Sequence, residues 1–202
     1  MPGTQKQDHV RFGSSDLALP PDLRQPLLAH LSKLRESYVQ RGWAGRVGFG
    51  ARPAVLVIDL AAFWLDPQKQ IGSNLDSVVD SVCQVLAAAR ASQVPIFFTS
   101  FAHDPAHPWS PHDQKLKLDL PAKTDDLFQL DPRLQRRPTE KIVPKRFASA
   151  FKGTYLHEML TGLGIDTLIV TGISTSHCVY ATCRDATDSF RVIVPRECVG
   201  ER

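Results

Sequence analysis

Three residues far apart in the chain have the types needed for nucleophilic chemistry: Asp59, Lys145 and Cys178. A carboxylate beside a thiol can take its proton, and a nearby ammonium or a helix N-terminus favours the thiolate. Together the three could make an activated nucleophile for acyl transfer. Each also has a plainer reading. An aspartate after a strand is commonly a cap or turn residue, Lys145 followed by Arg146 reads as solvated surface, and most cysteines are small buried apolar groups. What separates the two readings is whether the elements that carry these residues bring them to one place.

The local pattern argues that they do. Asp59 ends the apolar run Ala54-Val-Leu-Val-Ile58, Lys145 follows Lys141-Ile-Val-Pro144, and Cys178 comes just past the run Asp166-Thr-Leu-Ile-Val-Thr171 and a Gly/Ser/Thr turn. Short β-branched runs of this kind are expected for strands covered on both faces of a parallel sheet. Further strands are expected at 95–99 and 191–194. Between them the spacing predicts helices, one over 22–41 and one carrying Val78, Val79, Val82, Val85, Leu86 and Ala89, capped by Ser73 or Asn74. Two more are expected over 154–163, closed by Gly164, and over 176–187. Alternating strands and helices imply an α/β fold, a three-layer α/β/α sandwich of Rossmann type with a mostly parallel sheet. Ligands bind such sheets outside the carboxyl ends of the strands.

Length and composition agree with a globular reading. The chain has 202 residues, 43% hydrophobic and 22% charged, and a formal net charge of +3. We expect a flexible arm over 1–20 and one domain over 21–202. So small a charge imbalance does not suggest a nucleic-acid surface. No apolar run reaches the ~18 residues of a membrane span, and the polar N-terminus lacks a secretory segment, so a cytoplasmic protein is expected. Cys83, Cys178, Cys183 and Cys198 show neither a disulfide framework nor zinc-ligand spacing. No glycine-rich phosphate motif is present, so no nucleotide cofactor is expected. The segment 102–137 is proline-rich and aperiodic and reads as a long loop over the site, with a short helix near 125–129. Its His103, His107 and His112 could bind a metal, but are read as surface residues because no acidic ligand follows Asp59 at a suitable spacing. Phe63, Trp64 and Trp109 are read as packing residues, and Cys183 and Cys198 as interior ones. His177 need not face Cys178.

Four stretches then carry a specific likeness: RVGFGARPAVLVIDL at 46–60, KRFASAFKGT at 145–154, LGIDTLIVTGISTSHCVYATCRDA at 163–186 and RVIVPRECVGER at 191–202. With them the chain resembles the cysteine hydrolases of the isochorismatase-like superfamily, in particular the N-carbamoylsarcosine amidohydrolase and maleamate amidase types. The resemblance implies Asp59 as general base, Lys145 as third member of a triad and Cys178 as nucleophile. It implies a cis peptide between Ile173 and Ser174, and an oxyanion hole made by the backbone N–H groups of Ser174 and Cys178. Arg202 and Thr175 would bind a small carboxylate-bearing amide, with no metal or organic cofactor, in a homo-oligomer. Isochorismatase-type vinyl-ether hydrolysis, or an inactive paralogue serving as an assembly partner, are the rival expectations. Two departures accompany the likeness. Asp188-Ser189-Phe190 lacks a glycine to close its helix, and a further helix and strand are expected beyond Arg202.

Overall fold

The computed structural model describes residues 19–69, 72–101, 111, 114 and 129–201. The chain divides into two compact units, 1–48 and 49–202. The first contributes the helix α1 (Pro21–Gln40), started by proline at its first turn, where the missing N–H costs nothing. Leu23, Leu27, Leu31 and Leu34 on it are exposed.

The second unit is built on a sheet of six strands: β1 (Pro53–Ile58), β2 (Ile96–Phe101), β3 (Lys141–Lys145), β4 (Thr167–Ile173), β5 (Arg191–Ile193) and the short β6 (Val199–Gly200). Every pairing is parallel, in the order β3-β2-β1-β4-β5, with β6 extending from the end of β4. Among the described residues its helices include α2 (Ala62–Leu65), α3 (Asp76–Ala91), α4 (Leu156–Gly162) and α5 (Tyr180–Ala186).

Strand β1 shows why the fold has three layers. Its side chains alternate between faces. Ala54, Leu56 and Ile58 join Leu156 and Leu160 of α4 and Ala186 of α5 in one core cluster. Val55 and Val57 join Val78, Val79, Val82 and Leu86 of α3 in the other. A strand buried on both faces needs apolar residues at successive positions, which is the run seen in the sequence. The α/β sandwich and its parallel sheet are as expected.

The differences lie at element ends. Strands β2 and β4 each run two residues further than expected, to Phe101 and Ile173, and the pairing of β6 with β4 went unforeseen because two residues carry no period. The cap of α3 is indirect: Leu75 is the N-cap, and the Asn74 side chain accepts from the Asp76 N–H at 3.1 Å. At the end of α5, Ala186 O accepts from both Ser189 and Phe190 N–H, so the turn closes without a left-handed residue and no glycine is needed. The helix expected over 176–187 begins instead as a π turn, Thr175–Val179, and becomes α-helical at Tyr180. The helix expected near 125–129 falls outside the described residues except at its last position.

Candidate active site

The strand order reverses between β1 and β4, and a crevice opens at such a switch point beyond the strand ends. Asp59 follows β1 there, Lys145 is the last residue of β3, and Cys178 lies in the π turn after β4. The structure brings the three together. Lys145 Nζ is 2.7 Å from Asp59 Oδ2 and 3.4 Å from Cys178 Sγ. Its third N–H donates to the Phe147 carbonyl at 3.2 Å, so every ammonium proton has an acceptor. Asp59 and Lys145 are each only 2% exposed, which excludes the plainer readings of a turn aspartate and a surface lysine.

Local structure sets each side chain. Asp59 has φ 51°, a left-handed conformation that aspartate tolerates better than most residues. Its N–H donates to Thr99 Oγ1 at 3.1 Å, and the Thr99 hydroxyl donates to Asp59 Oδ1 at 2.6 Å. Strands β1 and β4 approach closely just before the site: a Cβ on Gly172, whose φ is +103°, would collide with the backbone of Ile58. The peptide between Ile173 and Ser174 is cis, as the resemblance implied. In the turn that follows, the Ser174 carbonyl accepts from the N–H groups of His177 and Val179.

The segment 146–155, which carries the Phe147 carbonyl, is held by hydroxyls. Thr182 Oγ1, fully buried on α5, accepts from Ala150 N–H at 3.0 Å, and Thr154 Oγ1 donates to Ala150 O at 2.6 Å. On the far side, β6 ties the chain's last residues to the Cys178 turn. Thr175 Oγ1 donates to Gly200 O at 2.8 Å, and Ser176 N–H donates to Glu201 Oε2 at 2.6 Å.

The electrostatics of the three groups oppose one another. Burial pulls the Lys145 ammonium toward neutrality, but the charge of Asp59 beside it, helped by Cys178, outweighs that and holds its pKa above the ordinary lysine value. For Cys178, burial pushes the thiol up to about 12, the Asp59 carboxylate acts in the same direction by charge and as hydrogen-bond acceptor, and Lys145 offsets only part. Lys145 thus acts toward the thiolate, as the sequence-based reading expected, but burial and the Asp59 carboxylate outweigh it and hold the thiol above its ordinary value. Such an arrangement can form the nucleophile when the proton leaves as the sulfur attacks.

All four cysteines are free, Cys198 is buried and Cys183 half-buried, its thiol raised to about 11 by burial. Phe63 is buried; Trp64 packs edge-on against it at 4.9 Å between ring centroids. Arg202, His103, His107, His112 and Trp109 lie outside the described residues. Among the described residues, no group of three or more His, Cys, Asp or Glu side chains is placed to hold a metal ion. Sequence reasoning missed Thr99, Gly172 and the Phe147 carbonyl. Thr99 had a faint signal, a hydroxyl in the otherwise apolar start of β2, Ile96-Phe-Phe-Thr99. A backbone carbonyl has none.

Residues 53–202 match the isochorismatase domain. The chain is 37% identical over 193 residues to an N-carbamoylsarcosine amidase of an Arthrobacter species, covering 90% of this chain and 73% of that protein. It is 32% identical over 175 residues to a maleamate amidohydrolase of Pseudomonas putida, covering 83% and 81% respectively. Among solved structures, a cysteine hydrolase from Pseudomonas syringae pv. phaseolicola superposes with a TM-score of 0.72 at 25% identity, covering 78% of each chain.

Proposed function

The chain belongs to the isochorismatase family, and we propose that within it this protein is a cysteine amidohydrolase of small linear amides or N-carbamoyl acids. It hydrolyses carbon–nitrogen bonds other than peptide bonds, as the names of its amidase and amidohydrolase relatives indicate for them. The observation that carries the reading is the single ammonium of Lys145 joining the Asp59 carboxylate at 2.7 Å to the Cys178 sulfur at 3.4 Å.

In this reading Asp59 accepts the thiol proton as Cys178 Sγ bonds to the amide carbon, and the carbonyl π pair moves onto oxygen. The backbone N–H groups of Ser174 and Cys178 receive that oxyanion, and Lys145 stabilises the charge that builds on the pair. On collapse the C–N bond breaks, the Asp59 proton passes to nitrogen and ammonia leaves a thioester, or a thiocarbamate where the substrate is an N-carbamoyl acid. Water then attacks the thioester carbon, giving its proton to Asp59, and the acid departs as Cys178 regains its proton. The raised Cys178 thiol supports an attack in which the proton leaves the sulfur as the carbon–sulfur bond forms. Arg202 is proposed to hold a carboxylate on the substrate, as a planar, permanently charged guanidinium is suited to do, with Thr175 joining it once its hydroxyl releases the Gly200 carbonyl. Thr175 stands in the turn beside Cys178.

The cytoplasm is the proposed compartment, supported by four free thiols, which suit reducing conditions. A homo-oligomer is proposed, supported by exposed aromatic side chains at Tyr155 and Tyr180; a solution mass equal to the 22.4 kDa chain would contradict it. The central test is ammonia release from N-carbamoylsarcosine, maleamate and related amides by wild type and Cys178→Ala, with intact-mass detection of an acyl adduct. We expect the alanine variant to lose turnover by roughly four orders of magnitude. Full ammonia release by Cys178→Ala would show that the covalent mechanism is wrong. No ammonia from wild type and no adduct would point to an inactive assembly partner.

A further inference from the structure

We propose that Thr99 is a positioning residue for Asp59: its hydroxyl clamps carboxylate oxygen Oδ1 so that Oδ2 faces the Lys145 ammonium and the Cys178 thiol. This rests on the roles given above to those three residues. Thr99 lies on β2, fully buried, next to Phe98 and paired across the sheet with Val143. A hydroxyl in such surroundings is costly unless bonded. Both of its bonds go to one residue. Oγ1 accepts the Asp59 N–H at 3.1 Å and donates to Asp59 Oδ1 at 2.6 Å.

The direction of these bonds follows from proton counting. A backbone N–H can only donate and an ionised carboxylate can only accept, so the one hydroxyl proton must point at Oδ1. The pair of bonds closes a ring that holds the Asp59 backbone at φ 51° and its carboxylate plane at the same time. Among the described residues, the charged or titratable groups recorded against that carboxylate are Lys145 from β3 and Cys178 from the π turn. Without the clamp the carboxylate could rotate and give both oxygens to the ammonium, leaving the thiol without an acceptor. The hydroxyl therefore reserves one lone pair for the sulfur's proton. The methyl of Thr99 contributes only packing.

The test needs no substrate. Iodoacetamide alkylation at neutral pH, with peptide mass mapping to separate Cys178 from Cys83, Cys183 and Cys198, measures how readily the Cys178 proton is removed. Thr99→Val keeps the side-chain shape and removes the hydroxyl; Thr99→Ser keeps the hydroxyl. We expect Cys178 in Thr99→Val to alkylate about tenfold more slowly than wild type and Thr99→Ser to react nearly as fast as wild type. In an Asp59→Asn background, Thr99→Val should add no further slowing. If the valine variant does not fold, Thr99→Ala against Thr99→Ser reads the same hydroxyl, with the same tenfold gap expected. A valine variant that alkylates as fast as wild type or faster, or a serine variant as slow as the valine one, would overturn the proposal. A wild-type protein that never alkylates at Cys178 would instead overturn the nucleophile assignment, and the role of Thr99 with it.

Discussion

Among the described residues of the second unit, two acid–base pairs are withdrawn from solvent, and they do different things. Arg90 on α3 meets Glu140 with two bonds, Nε to Oε1 at 2.7 Å and Nη2 to Oε2 at 2.9 Å. The guanidinium also donates to the Leu134 and Gln135 carbonyls, and Glu140 Oε2 accepts from Arg137 N–H at 2.7 Å. A guanidinium does not give up its proton, so this pair only holds the 134–140 segment to α3. The Asp59–Lys145 pair is more deeply buried, with side chains 3% and 1% exposed. A third ionisable group, the Cys178 thiol, shares its ammonium. What separates a structural from a reactive pair here is the extra proton with somewhere to go, since both pairs are buried and both are well bonded.

Substitutions that keep shape and remove charge sharpen that contrast. The largest effect is expected from Asp59→Asn: ammonia release by the best amide should fall by roughly a thousandfold or more. An asparagine variant with wild-type kcat would break the contrast. Glu140→Gln should do the opposite. It leaves Arg90 buried with a neutral partner, so the unfolding free energy from urea titration should drop by about 3 kcal/mol, while kcat/KM stays near wild type.

The pH dependence of that stability difference is also set. Burial raises the Glu140 carboxyl, but its hydrogen bond to Arg90, the Arg137 N–H and their charges outweigh burial and hold it below its ordinary value of 4.5. A carboxyl depressed in the folded state stabilises at pH above its unfolded value and loses that contribution as pH falls through the folded one. The gap between wild type and Glu140→Gln should therefore be full at pH 7 and close progressively below about pH 4.3 in acid titrations followed by circular dichroism. The smallest effect belongs to the exposed pair Arg184–Asp188, 3.9 Å apart with side chains 65% and 82% exposed. Arg184→Ala should change stability by ~0.5 kcal/mol or less.

Much of the fold was legible from particular residues. The unbroken run Ala54–Ile58 announces a strand buried on two faces, and the three- and four-residue steps from Val78 to Ala89 announce the helix that covers one of them. The family, and the candidate set Asp59, Lys145 and Cys178, followed from motifs spread over most of the chain. Element ends were less legible, because a strand's last residues and a π turn are chosen by pairing and by the approach of other segments rather than by local period. Gly172 shows the difficulty: its lack of a Cβ matters only because Ile58, more than a hundred positions away, lies against it.

By itself, then, the sequence determined which residue types stand at the strand ends and that the strands form a parallel α/β sheet. Those are properties of local pattern, of side-chain period and turn chemistry. Only the tertiary structure decided that the Lys145 ammonium lies between Asp59 and Cys178, that burial and the carboxylate raise the thiol, and that Thr99 and the Phe147 carbonyl complete the bonding. The physical reason is that burial and charge–charge interaction depend on distances between atoms from different strands, and no stretch of sequence contains those distances.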